Sequence, residues 1–413
     1  MKDYFYRIGI NTSVQFVSKL CTAVLGFLGV GLLTRYLGQI GFGNFTLIFV
    51  YLSFFGIIAD SGLQLTMSRD IAKGKHLPEK IYGTFFWLKI ILIFISIVLA
   101  FISLAFLPYS PLVKRGIFVA SVGVGLGFFN SFGTTILQAN LRLDLVALID
   151  LLAKAVTVAF VFIFVLMQKN FYYILNTILI GNFAALILTI FLLNKIKKIK
   201  LSFDLNLAKK ISVKALPVAA ISALALLYFK IDTLILSIIR GIKEVGIYGL
   251  AYKVVENLLL VWGFYMATIY PLLAKLANNK KIKETVGLWK ISLTISIILS
   301  LLVSILAFVF APLLIKILGG QDFASSVMPL RILLCSLPLF FVNNLFYHSF
   351  LLEEKTKLIL KAIGTSLIFN IIINLIFIPK YGYIAASVST VITEVYLSII
   401  YFINRYKIKS LTG

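Results

Sequence analysis

Residues 228–257 read YFKIDTLILSIIRGIKEVGIYGLAYKVVEN. This is the end of one apolar helix, a tight polar turn and the start of the next. Lys230, Asp232, Lys253 and Glu256 stand inside otherwise apolar sequence. An ionised side chain in hydrocarbon costs at least ~2.5–3.5 kcal/mol on insertion scales, so such residues normally face a bundle interior or a watery cavity. The stretch also repeats the start of the chain. Arg35 is followed six positions on by Gly41, and Arg240 six positions on by Gly246, at an offset of 205 residues. Each pair closes one apolar segment and opens another. The hairpin therefore points to a duplicated helical membrane architecture with a polar path through it.

The rest of the chain agrees. Of its 413 residues 61% are hydrophobic, and mean hydropathy is +1.04. A soluble domain has no use for that much apolar sequence. The apolar runs are long and continuous, which excludes the alternating pattern of a β-barrel. Net charge is +24, from 39 Lys and Arg against 15 Asp and Glu. That excess reads as basic cytoplasmic loops rather than as a nucleic-acid surface. Cys21 and Cys335 both lie in apolar segments, so neither a disulfide framework nor a thiolate metal site follows. The N-terminus carries no cleavage signal, and the first apolar segment reads as a retained span.

Spans of about 20 residues fit twelve times: roughly 12–34, 42–66, 84–107, 116–138, 146–167, 172–193, 215–239, 246–272, 288–311, 329–352, 358–379 and 382–403. With both termini cytoplasmic, the inside segments hold 25 Lys and Arg and the outside segments 8. The positive-inside rule selects that orientation. The longest inside loop, a cytoplasmic linker at 195–214, separates an N-terminal six-helix bundle, 1–200, from a C-terminal one, 201–413. Its sequence from Leu201 to Leu216 reads either as a short helix lying on the membrane or as a plain basic linker. Outside loops are too short for an extracytoplasmic catalytic domain. Two halves of six spans imply a parallel repeat, with substrate bound between the halves and alternating access.

The polar residues within spans are the site candidates. Gln15 and Lys19 share a helical face with Thr12 nearby, lining a cavity unless Lys19 snorkels to the surface. Asp60 is either a cavity group or an interfacial carboxylate. Asp150 and Lys154 have the spacing of a self-neutralising pair. Lys230 and Asp232 point to different faces and need separate partners. Lys253, Glu256 and Asn257 cluster on the next span, beside Tyr252. Lys89 and Arg331 read as snorkelling. Glu394, midway along the last span, neutralises a lysine or carries a proton. His348 reads as packed, and Asn370 and Asn374 as bonded between helices. No nucleotide-binding, zinc or Cys–His constellation is present, so no cofactor is expected. The glycine run 123–127, GVGLG, reads as close helix packing.

Three stretches carry a family resemblance. NTSVQFVSKLCTAVLGFLGVGLLTRYLGQIGFGNFTLIFVYLSFFGIIADSGL at 11–63 resembles the start of Wzx-type polysaccharide flippases. LPVAAISALALLYFKIDTLILSIIRGIKEVGIYGLAYKV at 216–254 does too, with Pro217, Asp232, Gly246 and Tyr248 in place. NIIINLIFIPKYGYIAASVSTVITE at 370–394 is similar to that family's Asn-rich helix, IPKYG turn and small-residue helix.

The resemblance implies the multidrug/oligosaccharidyl-lipid/polysaccharide exporter fold, all-α, with two six-helix bundles around a central cavity. It implies a bacterial inner-membrane flippase moving undecaprenyl-diphosphate-linked oligosaccharide from the cytoplasmic to the periplasmic leaflet for O-antigen or capsule. It places spans one, two, seven and eight at the cavity. Lys19, Lys230 and Lys253 are then expected to meet the diphosphate. Gln15, Asp60, Asp232, Tyr252, Glu256 and Asn257 would be further polar lining, and Glu394 a coupling residue. Expected partners are the lipid-linked oligosaccharide and the bilayer, with a polysaccharide polymerase and a chain-length regulator in the pathway; nucleic acid is not one. The competing readings are a cation-coupled drug exporter of the same superfamily and a polymerase or ligase of the same pathway. The prominent lysines favour an anionic cargo over the first, and the short outer loops oppose the second.

Overall fold

The computed structural model describes residues 2–73, 78–196, 202–279 and 281–412, some of them, Thr12 included, by backbone only. Lys75, Lys197, Lys198, Lys200 and Lys280, all counted above as inside charges, lie outside the described residues.

The chain is all-helical among those residues. The helices are α1 (Lys2–Asp60), α2 (Leu63–Lys73), α3 (Pro78–Leu104), α4 (Pro111–Ala139), α5 (Leu143–Leu166) and α6 (Phe171–Ile196). There follow α7 (Leu205–Ile239), α8 (Ile242–Asn278), α9 (Ile282–Val309), α10 (Ala311–Gly319), a 3-10 turn (Gln321–Ser326), α11 (Val327–Leu352) and α12 (Thr356–Thr412). Nine of the described helices are long and apolar enough to cross a membrane, ten when the bent pair Gln321–Leu334 and Leu337–Leu352 counts as one span. Two of the nine run 52 and 50 residues, about twice the ~20 that one crossing needs. Each is broken at a glycine with a left-handed φ: Gly38 at 64° in α1 and Gly382 at 56° in α12. This is compatible with the twelve spans read from the sequence. Large aliphatic and aromatic side chains such as Phe94, Ile298 and Phe402 point outward. An apolar outer surface suits lipid rather than water. The chain is a multi-pass membrane protein.

Packing divides the chain into two compact units, 1–37 with 47–226, and 38–46 with 227–413. Packing therefore assigns the start of α7 to the first unit and the α1 break to the second, rather than dividing the chain near residue 200.

In the first unit a buried cluster joins Leu63 and Met67 of α2, Phe85 of α3, Ile136 of α4 and Ile149 of α5. Leu207, Ile211 and Ala215 of α7 belong to the same cluster. The described part of the stretch before span seven is thus helical rather than a plain linker, and it packs on the protein through Leu207, Ile211 and Ala215 while Leu205, Val213 and Leu216 stay exposed. From Leu205 on, it is the first three turns of α7, with its apolar stripe on the protein. Asp204 caps it by accepting from the Leu207 amide at 3.0 Å, and the Asp204 amide donates to Thr84 Oγ1 at 3.2 Å. Lys214 reaches Asp70 at 3.8 Å. Helix α2 also differs from expectation: span two stops at Asp60 because Ser61 and Gly62 turn with φ of 43° and 69°. The glycine run does pack closely. A Cβ on Gly123 would lie 2.8 Å from the Leu179 amide of α6, and Asn182 donates to the Gly123 carbonyl at 2.8 Å.

In the second unit the repeat seen in sequence takes physical form. Gly241 breaks the chain between α7 and α8 with φ 89° and ψ 179°, matching the φ 64° and ψ −176° of Gly38. Five residues beyond each break stand Gly43 and Gly246, and these two meet. A Cβ on Gly43 would come 3.0 Å from the Gly246 amide, and one on Gly246 3.2 Å from the Gly43 amide. The repeat thus runs at an offset of 203 residues, two fewer than the Arg–Gly spacing gives. Helix α9 buries Ser292, Ser296, Ser300 and Ser304 along one face, a small-residue seam of the kind that lets membrane helices approach.

Candidate functional site

Lys230 of α7 finds its partner on α8. Its ammonium donates to Glu256 Oε1 and lies 5.0 Å from the centre of the Tyr252 ring. Lys253 donates to the other oxygen of the same carboxylate at 2.9 Å. The i, i+3 spacing of Lys253 and Glu256 puts them on one face of α8. One carboxylate thus holds two lysines, leaving the group one positive charge in excess. The side chains of Lys230, Glu256 and Lys253 are 21%, 26% and 49% exposed, so the group is reachable. Tyr252 is buried and forms its floor. Asn257 donates to the Lys253 carbonyl at 2.7 Å, which leaves its side-chain oxygen free to accept.

Asp232 does not join this group. It is buried, where a place lining the cavity was expected. Its carboxylate accepts from the Tyr248 hydroxyl and from the Thr233 amide at 2.6 Å, with Thr390 Oγ1 at 3.5 Å. Charge-assisted bonds to fixed donors hold it in place. Glu394 is also buried, among neutral hydrogen-bond donors. It accepts from the Tyr228 hydroxyl and from Asn343 Nδ2 at 2.7 Å, and Ser398 donates to Asn343 Oδ1 at 2.8 Å. Among the described residues the polar partners of the Glu394 carboxylate are Tyr228 and Asn343 rather than a lysine, and Lys230 donates to Glu256 instead. Nearby, Asn374 donates to Asn370 at 2.8 Å and Asn370 to Thr393 at 3.1 Å, bonding the two segments of α12.

In the first unit Lys19 is exposed on α1 and Gln15 half-buried. Lys19 is a cation whose charge acts on Asp150 of α5. Thr12 of the same stripe has no described side chain. Asp60 is paired: Lys89 donates to its Oδ1 at 2.9 Å. Lys89 does not snorkel. It is 3% exposed, with its ammonium 6.0 Å from the Phe128 ring. Sequence spacing gave no signal for this pair, because the partners are 29 residues apart on different helices. Arg331 is half-buried, donating to the Phe308 carbonyl at 3.4 Å. His348 packs against Tyr270 and Tyr347 and bonds the Asn344 carbonyl at 2.8 Å.

One further clamp was not read from the sequence. Arg240 donates to Glu244 at 2.8 Å, and the other Glu244 oxygen accepts from the Tyr383 amide at 2.9 Å. The IPKYG turn at Gly382 is thereby tied to the start of α8.

Known proteins give this arrangement a family. A model described as polysaccharide biosynthesis protein matches residues 8–277, and one described as MatE matches 217–376. The probable low-salt glycan biosynthesis flippase Agl15 of Haloferax volcanii is 23% identical over 92% of this chain and 79% of its own length. The capsular polysaccharide biosynthesis protein CapF of Staphylococcus aureus is 26% identical over 51% of this chain, and the match spans about half, 54%, of that relative. Among solved structures, a multidrug resistance MATE family transporter of the MOP superfamily in an inward-facing conformation superposes with TM-score 0.81 at 16% identity, covering 97% of this chain and 99% of that one. The lipid II flippase MurJ superposes with TM-score 0.75 at 16% identity, covering 95% and 87%. The fold is thus that of the multidrug/oligosaccharidyl-lipid/polysaccharide exporter superfamily. With the family model covering well over half of its length, the chain belongs to the polysaccharide biosynthesis protein family.

Proposed function

We propose that the protein is a flippase for polyprenyl-diphosphate-linked oligosaccharide, undecaprenyl-linked in a bacterial inner membrane, with both termini in the cytoplasm. The observation that carries this reading is the pair of lysines, Lys230 and Lys253, sharing the single carboxylate of Glu256. A diphosphate accepts hydrogen bonds from both ammoniums, and in a low-dielectric setting each such bond is stronger than in water. Glu256 keeps the two cations solvated by the protein while no cargo is present, and the diphosphate takes its place. Asn257 offers the sugar an acceptor, and Tyr252 supports Lys230 from below. Lys19 and Gln15 are proposed as a separate cargo contact on the first unit. Glu394 is proposed as the coupling residue, since a buried carboxylate among neutral donors can take up a proton without breaking an ion pair. The polysaccharide polymerase and its chain-length regulator would act on the flipped product.

The test is translocation of a fluorescent polyprenyl-diphosphate oligosaccharide in proteoliposomes. Lys230→Ala with Lys253→Ala should lower the rate by at least about 100-fold, since each of the two charged hydrogen bonds contributes about 1.5–3 kcal/mol. A wild-type rate in that double variant overturns the assignment. The MatE match to 217–376 favours a second reading, a cation-coupled drug exporter. A cationic cargo would be repelled by the excess lysine, so efflux of cationic dyes by the wild type is the result that would favour it.

A further inference from the structure

A cleft of about 460 Å³ lies in the second unit between the two segments of α12, apart from the Lys230 group. Its size falls in the range of about 300–1,000 Å³ typical of ligand sites. Its polar rim is Lys357, Lys361, Thr365 and Asn404. Leu358, Ala362 and Ile400 make its apolar wall. At one side the Tyr396 ring stacks on Phe369 with centroids 4.6 Å apart.

The charges around this cleft are unevenly spent. Glu353 takes both Arg405 and, at 2.8 Å, Lys355. Lys357 and Lys361 are exposed and make no ion pair among the described residues. Glu354, the other carboxylate at this turn, is exposed and does not line the cleft. Asn404 donates one amide hydrogen to the Ile400 carbonyl at 2.8 Å and keeps a second. Thr365 spends its hydroxyl proton on the Lys361 carbonyl at 2.9 Å, so the rim offers a ligand two ammoniums and the second Asn404 amide hydrogen, which suits one that only accepts. A phosphate diester is such a ligand.

Next to the rim the surface is apolar. Ile368, Ile399 and Phe402 are 60%, 52% and 66% exposed, on the helix turns that carry Thr365 and Ile400. A free anion would gain nothing from this surface, whereas an acyl chain would lie along it. We infer that the α12 cleft binds an anionic phospholipid, its phosphate held by Lys357, Lys361 and Asn404 and its chains along the outer face of α12. Basic pockets between membrane helices are suited to such headgroups. In the orientation given under Proposed function this end lies in the cytoplasmic leaflet, yet binding itself requires neither that orientation nor transport.

The experiment titrates the purified full chain, in non-ionic detergent, with phosphatidylglycerol, with phosphatidylcholine of the same chains, and with glycerol 3-phosphate. Bound lipid is read by native mass spectrometry and stabilisation by the unfolding midpoint. Phosphatidylglycerol should bind at least tenfold more tightly than phosphatidylcholine and raise the midpoint, and glycerol 3-phosphate should do neither. Lys357→Gln with Lys361→Gln should weaken phosphatidylglycerol about 20-fold, from two charges lost near a lipid phosphate. Thr365→Trp, which keeps both lysines and fills the cleft, should weaken it as well. Equal binding of the two lipids overturns the inference. So does an undiminished preference in the lysine variant, or competition by glycerol 3-phosphate at the concentration of the lipid. Each readout is independent of flipping, so failure here leaves the flippase reading standing, and the reverse.

Discussion

Asp60 and Lys89 form an unequal pair. The Lys89 side chain is 4% exposed and that of Asp60 33%. Removing Asp60 strands a buried ammonium, whereas removing Lys89 leaves a carboxylate that water can still reach. Asp60→Asn should therefore cost about 3–5 kcal/mol, the range for breaking a buried ion pair from one side. Lys89→Met should cost less, by more than about 1 kcal/mol, because the remaining charge is partly solvated. Denaturant unfolding in a fixed detergent compares them; equal losses would show that the pair is not anchored through Lys89. At Glu256 the expectation concerns cargo. Glu256→Gln frees two lysines, so polyprenyl diphosphate should bind more tightly while turnover falls through slower release. An equilibrium binding titration beside the flipping rate separates these, and weaker binding would contradict the counter-ion role. The sequence singles out Lys230, Lys253 and Glu256 one by one, because charges in apolar runs stand out, but it leaves Lys230 without a named partner. It could not mark Asp232 as enclosed, since burial there is set by Tyr248 and Thr390 from α8 and α12.

The element that organises the second unit is the glycine crossing of α1 and α8. A methyl group at residue 246 would run into the Gln39 carbonyl, which belongs to backbone and cannot swing away. Gly246→Ala should destabilise by about 1–3 kcal/mol, as overpacking does. Gly263→Ala, where nothing lies within 4 Å, should be neutral or stabilising by comparison. At the α12 break, Gly382→Ala meets both a left-handed φ of 56° and the Glu244 carboxylate. It should cost at least about 1–2 kcal/mol. Thermal unfolding midpoints of the three variants check this set; a Gly246→Ala midpoint equal to that of Gly263→Ala would contradict the crossing. The helices themselves were legible from apolar length alone. The start of α7 was not: a stripe of Leu207, Ile211 and Ala215 looks the same whether its partner is lipid or protein, and only the packed α2, α3 and α5 decide it. The Arg–Gly spacing misplaces the repeat by two residues for a related reason. Arginine marks the water-facing end of a helix loosely, whereas the positive-φ glycine fixes the turn.

On the scale of the whole molecule, length, hydropathy and lysine distribution made the membrane architecture readable, and three stretches made the family readable. The proposed cargo rests on two cations and one anion on neighbouring helices, and sequence spacing alone does not bring Lys230 to Glu256. Transport of a lipid-linked oligosaccharide across the membrane is what the proposed flippase would do. The most direct measurement is the leaflet distribution of that lipid in cells depleted of the protein, by labelling of intact cells and of inverted vesicles. On the flippase reading, depletion leaves lipid-linked oligosaccharide on the cytoplasmic leaflet, with surface polysaccharide lost, and both should be restored by the wild type but not by Lys230→Ala with Lys253→Ala. An unchanged distribution across the two leaflets, with surface polysaccharide intact, would contradict it.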